Sequence, residues 1–355
     1  MAIQEIKNVE ICGLSACVPS MIEENSELDI FSNQDEVNKF IENTGVERRR
    51  VAGKNECASD LCYKAAEHLI DKLGWEKEEI ECLVFVSHGP DYRYPATACV
   101  LQSRLGLPQS CMSLDISLGC SGWVYGLSVL GSIVSASKFK KALLLVGDVT
   151  TAAKSKKDKS TYPLFGDAGS ATAISFREGA YGFRTHMGTD GKNYRAIMVE
   201  DGGSRNRVTK DSLVEREYEP GVIRNKLQTR MDGMSVFSFG ITKAPKSVKE
   251  LLSNFDIDKS SIDYYVFHQA NLMMNRRIQI KLGIPDQKYP YALKDFGNTS
   301  SGTIPLTMVS ELRDAINTTN QHPLQIVACG FGVGLSWGSV YFTLENAVCC
   351  ELLEL

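Results

Sequence analysis

Three side chains have the types and settings for nucleophilic chemistry: Cys120 in LDISLGCSGW (114–123), His268 in VFHQAN (266–271) and Asn298 in GNTSSG (297–302). A thiol is a nucleophile, an imidazole moves protons near neutral pH, and a carboxamide donates hydrogen bonds. Cys120 lies between two glycines where an apolar run changes period. CMSLDISL reads as a short strand, and SGWVYGLSVLGSIVSASKF has the length and small-residue richness of a buried helix. The thiol therefore sits at or beside a helix N-terminus. Unpaired N–H groups and the positive dipole end favour an anion there, and such thiols have lowered pKa values. Each residue also has a plainer reading. Cys120 reads equally well as a small buried side chain, His268 as a satisfied core histidine, and GNTSSG as a turn with a helix cap.

What favours chemistry is an internal duplication that places these residues at matched corners. LIDKLGWEKEEIECLVFVSH (69–88) resembles ELLSNFDIDKSSIDYYVFHQ (250–269), and LQSRLGLPQ (101–109) resembles IQIKLGIPD (278–286), a helix closing at Gly followed by Pro. LDISLGCSGW then matches YALKDFGNTSSG (291–302), read as another strand, a glycine and a helix start. KALLLVGDV (141–149) matches PLQIVACGFG (323–332) as an apolar strand. Strands alternating with helices imply parallel sheets covered on both faces. The expectation is two α/β halves, 1–180 and 181–355, fused into one layered body. Cys120 and Asn298 then occupy equivalent corners, and His268 ends a strand, where α/β sheets place chemistry. The polar segment 190–230 has no counterpart in the first half and reads as a surface excursion bordering a substrate entrance.

With 355 residues, 43% hydrophobic and 23% charged, the composition is that of a globular protein. A net charge of −4 argues against nucleic acid as a partner. No apolar run reaches the roughly 20 residues of a membrane helix, so no membrane partner is expected. MAIQEIKNVEICG lacks the basic and apolar regions of a signal peptide. Eleven cysteines without a CxxC pair, five histidines that do not cluster with them, and many cysteines inside apolar runs suggest reduced thiols in the cytoplasm, with no metal site.

The motifs then carry a resemblance. GCSG around Cys120, HQAN (268–271), GNTSSGTIP (297–305) and GFGVGLSWG (330–338), with TGVERR (44–49), YPATA (94–98) and FGDAGSA (165–171), run in order along the chain. Together they resemble the β-ketoacyl-acyl-carrier-protein synthase III family of thiolase-like condensing enzymes. The resemblance implies a five-layered αβαβα fold, a homodimer, and a catalytic set of Cys120, His268 and Asn298, with an oxyanion hole from the N–H groups of Cys120 and Val333. It implies a Cys-bound acyl group condensed decarboxylatively with malonyl-acyl carrier protein. The substrates are acyl-CoA or acyl-carrier thioesters and no cofactor is needed. Asn271, Gly233, Phe237 and Lys159 fall at substrate-binding positions, and Tyr94 at a position that enters the partner's acyl pocket.

Relatives on the same fold move acyl groups to oxygen or nitrogen, or join two acyl chains, and malonyl decarboxylation discriminates between these and condensation. A cysteine protease also uses Cys, His and Asn, but its nucleophile signature is absent. A non-catalytic subunit of a pair would not need all three residues. The chain departs from the family pattern where an adenine clamp of Trp and Arg is replaced by Lys39 and Asn43. A carrier-docking Arg becomes Met273, and Met234 follows Gly233 in MDGMSVF (231–237). Arg276, Arg277 and Lys281 are expected to supply the docking charge in place of Met273, since Arg277 and Lys281 are four apart on one helix face.

Overall fold

The structure is a computed structural model that describes residues 2–320 and 322–355. Twelve strands matter for the site. They are β1 (Ala2–Ile6), β2 (Val9–Val18), β3 (Cys82–Val86), β4 (Met112–Ile116), β5 (Ala142–Val149), β6 (Asp167–Phe176), β7 (Phe183–Thr189), β8 (Tyr264–Phe267), β9 (Leu324–Gly332), β10 (Ser336–Leu344), β11 (Val348–Cys349) and β12 (Leu353–Glu354). The first sheet runs β2-β6-β5-β3-β4, with β11 and β12 both on β2. The second runs β1-β7-β10-β9-β8.

After α1 (Gln34–Thr44), helices fill the spaces around both sheets. α2 (Ala58–Leu73) and α3 (Thr97–Arg104) pack on the outer face of the first sheet through Leu61, Leu69 and Leu101. α5 (Gly233–Asn254) and α6 (Leu272–Leu282) cover the second through Val248, Met274 and Ile278. Between the sheets lie α4 (Gly122–Ser137) and α7 (Thr303–Glu311), whose Trp123, Leu127 and Met308 join residues of both sheets in one core. This is the five-layered αβαβα arrangement. It explains the small residues of α4. A Cβ at Gly126 would sit 2.7 Å from Leu144 of the first sheet, and one at Gly131 would sit 2.8 Å from Phe183 of the second.

Three expectations change. The sheets are mixed: β4, β3 and β5 are parallel and so are β8 and β9, but β6 runs antiparallel to β5 and β10 to β9. No crossover helix links those pairs. β10 follows β9 after a turn too short for a parallel return. Second, YALKDFG forms no strand; Leu293–Phe296 is one helical turn. Its backbone turns to other partners: Ala292 N donates to Gln269 Oε1, and Lys294 O accepts from Glu47 N. Third, the halves exchange their ends. β1 pairs with β7 of the second sheet, and β11 and β12 pair with β2 of the first. Each terminal strand thereby closes an edge that the other half leaves open.

Candidate active site

Cys120 occupies the corner between β4 and α4, one residue before the helix N-cap Ser121. The turn after β9 presses against it. A Cβ on Gly332 would lie 2.6 Å from the Cys120 Cβ and 2.7 Å from its sulfur, so only glycine lets the two backbones meet. Ser336 pins this turn by accepting or donating to Ser121 Oγ at 2.7 Å and donating to Val333 O at 3.0 Å. Cys120, Val333 and Ser300 line one cavity.

His268 follows β8 directly, with its N–H on Cys329 O at 2.8 Å. The buried Asn275 holds the loop beyond it, donating to His268 O at 3.0 Å and accepting from Ala270 N at 3.2 Å. The imidazole Nδ1 lies 2.8 Å from Thr303 Oγ1 and the ring stands edge-on to Phe331. Asn298 follows the helical turn. Its Oδ1 accepts from Ser300 N at 2.9 Å and its Nδ2 reaches Ala270 O at 3.4 Å. Buried Arg49 of TGVERR supports this corner by donating to Tyr162 O and Phe165 O, beside Asn298 on strand-like pairing with Phe165. Ser300 lines the same cavity as Cys120, meets Asn298 through its N–H, and meets the His268 partner Thr303 through its carbonyl.

Burial sets the electrostatics. It pushes the Cys120 thiol up, with the Val333 N–H opposing, and pushes His268 down to about 3. The lowered thiol pKa expected from the helix N-terminus is therefore reversed. Both shifts favour the uncharged forms, a neutral thiol and a neutral imidazole. Beside the sulfur lies a cavity of about 190 Å³ lined by Cys120, Val333, Ser300, Phe165, Lys154 and Met198. Ile197, Val199 and Thr229 also line it, so the 190–230 excursion supplies one wall. Such an arrangement can hold an acyl group on sulfur inside a water-poor pocket.

Family models described as 3-oxoacyl-[acyl-carrier-protein (ACP)] synthase III match residues 114–191, and those for its C terminal match 252–344. The chain is 30% identical to the β-ketoacyl-[acyl-carrier-protein] synthase III of Syntrophomonas wolfei, over 94% of this chain and 96% of that one. It superposes on the crystal structure of a 3-oxoacyl-(acyl-carrier protein) synthase from Burkholderia xenovorans LB400 with TM-score 0.92 and 36% identity, covering 100% of this chain and 99% of that. The synthase III structure from Pseudomonas aeruginosa PAO1 gives 0.83 and 28%, covering 96% and 100%. The chain belongs to the β-ketoacyl-[acyl-carrier-protein] synthase III family.

Within that family framework the remaining residues fall in different places. Lys39, Asn43 and Lys159 share one surface depression with Phe31 and Phe40, but Lys159 is paired to Glu36 at 2.7 Å. Asn271 caps α6, its side-chain oxygen accepting from Met274 N. Gly233 opens α5 in the open, with nothing near a Cβ position, and Phe237 is half-buried against the second-sheet core. Tyr94 is 81% exposed and does not line the Cys120 cavity. Arg276, Arg277 and Lys281 are all exposed on α6, and Lys281 also donates to Ile241 O. Four residues escaped the sequence reading: Ser300, Thr303, Asp148 and Lys154. Asp148 clasps the two halves, accepting from Ser87 Oγ and His88 N on one oxygen and from Ser301 N and Oγ on the other. Only its place at the end of an apolar strand in LLLVGDV hinted at this.

Proposed function

We propose that the protein condenses a Cys120-bound acyl group with a malonyl-acyl carrier protein, releasing CO2 and a 3-oxoacyl carrier. The Cys120 sulfur bonds to the carbonyl carbon of an acyl thioester. The donor's C–S bond breaks, and its thiol leaves with the proton that Cys120 gives up. In the second half-reaction the bond from the malonyl α-carbon to its carboxylate breaks and CO2 leaves, with the electron pair kept as an enolate. His268 and Asn298 donate to the enolate oxygen. The α-carbon attacks the Cys120 thioester, whose oxyanion is met by the N–H groups of Cys120 and Val333; collapse expels the Cys120 thiolate, which takes up a proton from solvent to restore the thiol. Thioester substrates supply the activation, so the sequence of steps needs no cofactor.

The observation that carries this reading is Ser300, which lines the cavity together with Cys120 and is hydrogen-bonded to Asn298 and to the His268 partner Thr303. Carrier recognition is supported by the exposed Arg276, Arg277 and Lys281. The Lys159–Glu36 pair and the absence of a Trp clamp favour a carrier over acyl-CoA as donor. A homodimer is supported by the unpaired outer edge of β4 and by the exposure of Tyr94. Eleven free cysteines suit a reducing cytoplasm. Among the described residues no helix is long and apolar enough to cross a membrane.

Intact-mass measurement tests the reading. Acyl thioesters should add one acyl group to the wild type and none to Cys120→Ala, and malonyl carrier should then discharge it with release of CO2. His268→Ala and Asn298→Ala should still acylate but lose CO2 release by about 10²–10³-fold. Turnover by Cys120→Ala would overturn it.

A further inference from the structure

The cavity beside Cys120 contains a cation that the chemistry above does not use. Lys154 is 9% exposed, its Nζ donates to Thr229 Oγ1 at 2.9 Å, and it lies 4.3 Å from the Phe165 ring centre. Lys154, Thr229 and Phe165 all line the cavity that holds the nucleophile. Among the described residues no carboxylate oxygen pairs with this ammonium within 4.0 Å. The carboxylates nearest in the field have other donors. Asp148 serves Ser87, His88 and Ser301; Asp167 accepts from Ala52 N and Thr151; Asp158 accepts from Ser160 and faces Arg224 at 3.5 Å. Burial brings Lys154 down to about 8, so it still carries its charge at neutral pH. A buried ammonium with one neutral hydrogen bond and one aromatic face still lacks a counter-charge, which is costly unless something in the pocket supplies it.

We propose that Lys154 and Thr229 form an end-group subsite of the acyl pocket, and that the primer is a short acyl chain ending in a carboxylate. The carboxylate would take the second and third donors of the ammonium and the Thr229 hydroxyl. A cavity of about 190 Å³ suits a short acyl group. The neighbouring walls, Ile197, Met198 and Phe165, accommodate the methylenes between the ends. This rests on Cys120 as the acyl carrier.

The test compares succinyl and butyryl groups on the same pantetheine thiol, with Cys120 acylation followed by intact mass. The wild type is expected to take succinyl about 10- to 100-fold faster, the worth of a charge-assisted hydrogen bond. Lys154→Met is expected to reverse the preference toward butyryl, and Lys154→Gln to fall between, which keeps the test alive if one variant folds poorly. The melting temperature of Lys154→Met is expected to equal or exceed that of the wild type, since an unanswered charge is removed. Faster butyryl transfer in the wild type, or a ratio unmoved in both variants, overturns the subsite and leaves Cys120 as nucleophile. Acylation of Cys120 by neither donor overturns both readings together.

Discussion

The Thr303 hydroxyl lies 2.8 Å from Nδ1 of His268 and 3.1 Å from the Ser300 carbonyl oxygen. A hydroxyl has one proton, so its direction decides the imidazole tautomer. Donation to Ser300 leaves the ring proton on Nδ1 and Nε2 free to accept. Donation to Nδ1 leaves the ring proton on Nε2, ready to meet an enolate. Thr303→Val should slow CO2 release about tenfold while leaving Cys120 acylation in place, and Thr303→Ser should restore it. Equal loss of both half-reactions in Thr303→Val would mean that the hydroxyl only supports packing.

Because burial raises the Cys120 pKa above its ordinary value of 9.0, the resting thiol is protonated at neutral pH. Iodoacetamide alkylation of Cys120 should therefore climb steadily with pH through 9, without a plateau near 7. The assay needs a Cys57→Ser, Cys99→Ser background, since those two thiols are exposed and react with the reagent as well. A plateau at or below pH 7 would reveal a thiolate–imidazolium pair instead.

Gly332 tests the close approach of the turn to the nucleophile. Gly332→Ala would place a methyl 2.7 Å from the Cys120 sulfur, so the sulfur or the turn carrying Val333 must shift. Acylation should fall by about 10²-fold or more, because a displacement near 1 Å costs that much. The measurement is the single-turnover acylation rate. A rate within threefold of the wild type would show the turn to be more pliable than its packing implies.

Arg277 and Lys281 stand exposed on α6, the helix that Asn271 caps. Arg277→Glu with Lys281→Glu should raise KM for the malonyl carrier about tenfold and leave reaction with malonyl-pantetheine unaltered. The difference should shrink in high salt, as screened surface charges require. An unchanged carrier KM at low salt would place the docking face elsewhere.

Much of the site is local and could be read in the chain. A strand, a glycine and a small-residue helix are short-range features, so the corner at Cys120 and the strand end at His268 were legible. The duplication then related Asn298 to Cys120 without any coordinates. The small residues of α4 likewise announced a helix between two layers, because packing on both sides forbids bulk. What depended on distant parts of the chain was not legible. YALKDFG has the look of a strand, yet its backbone is taken by Gln269 and Glu47, far off in sequence. The exchange of β1 and β11 between halves depends on which edges remain open. Both pKa directions at the site come from burial. Lys154 sits in the lysine-rich run KSKKDKS (154–160), and only the fold turns it inward onto Thr229, 75 residues away. Burial is a property of the whole packed chain, so no window of sequence contains it.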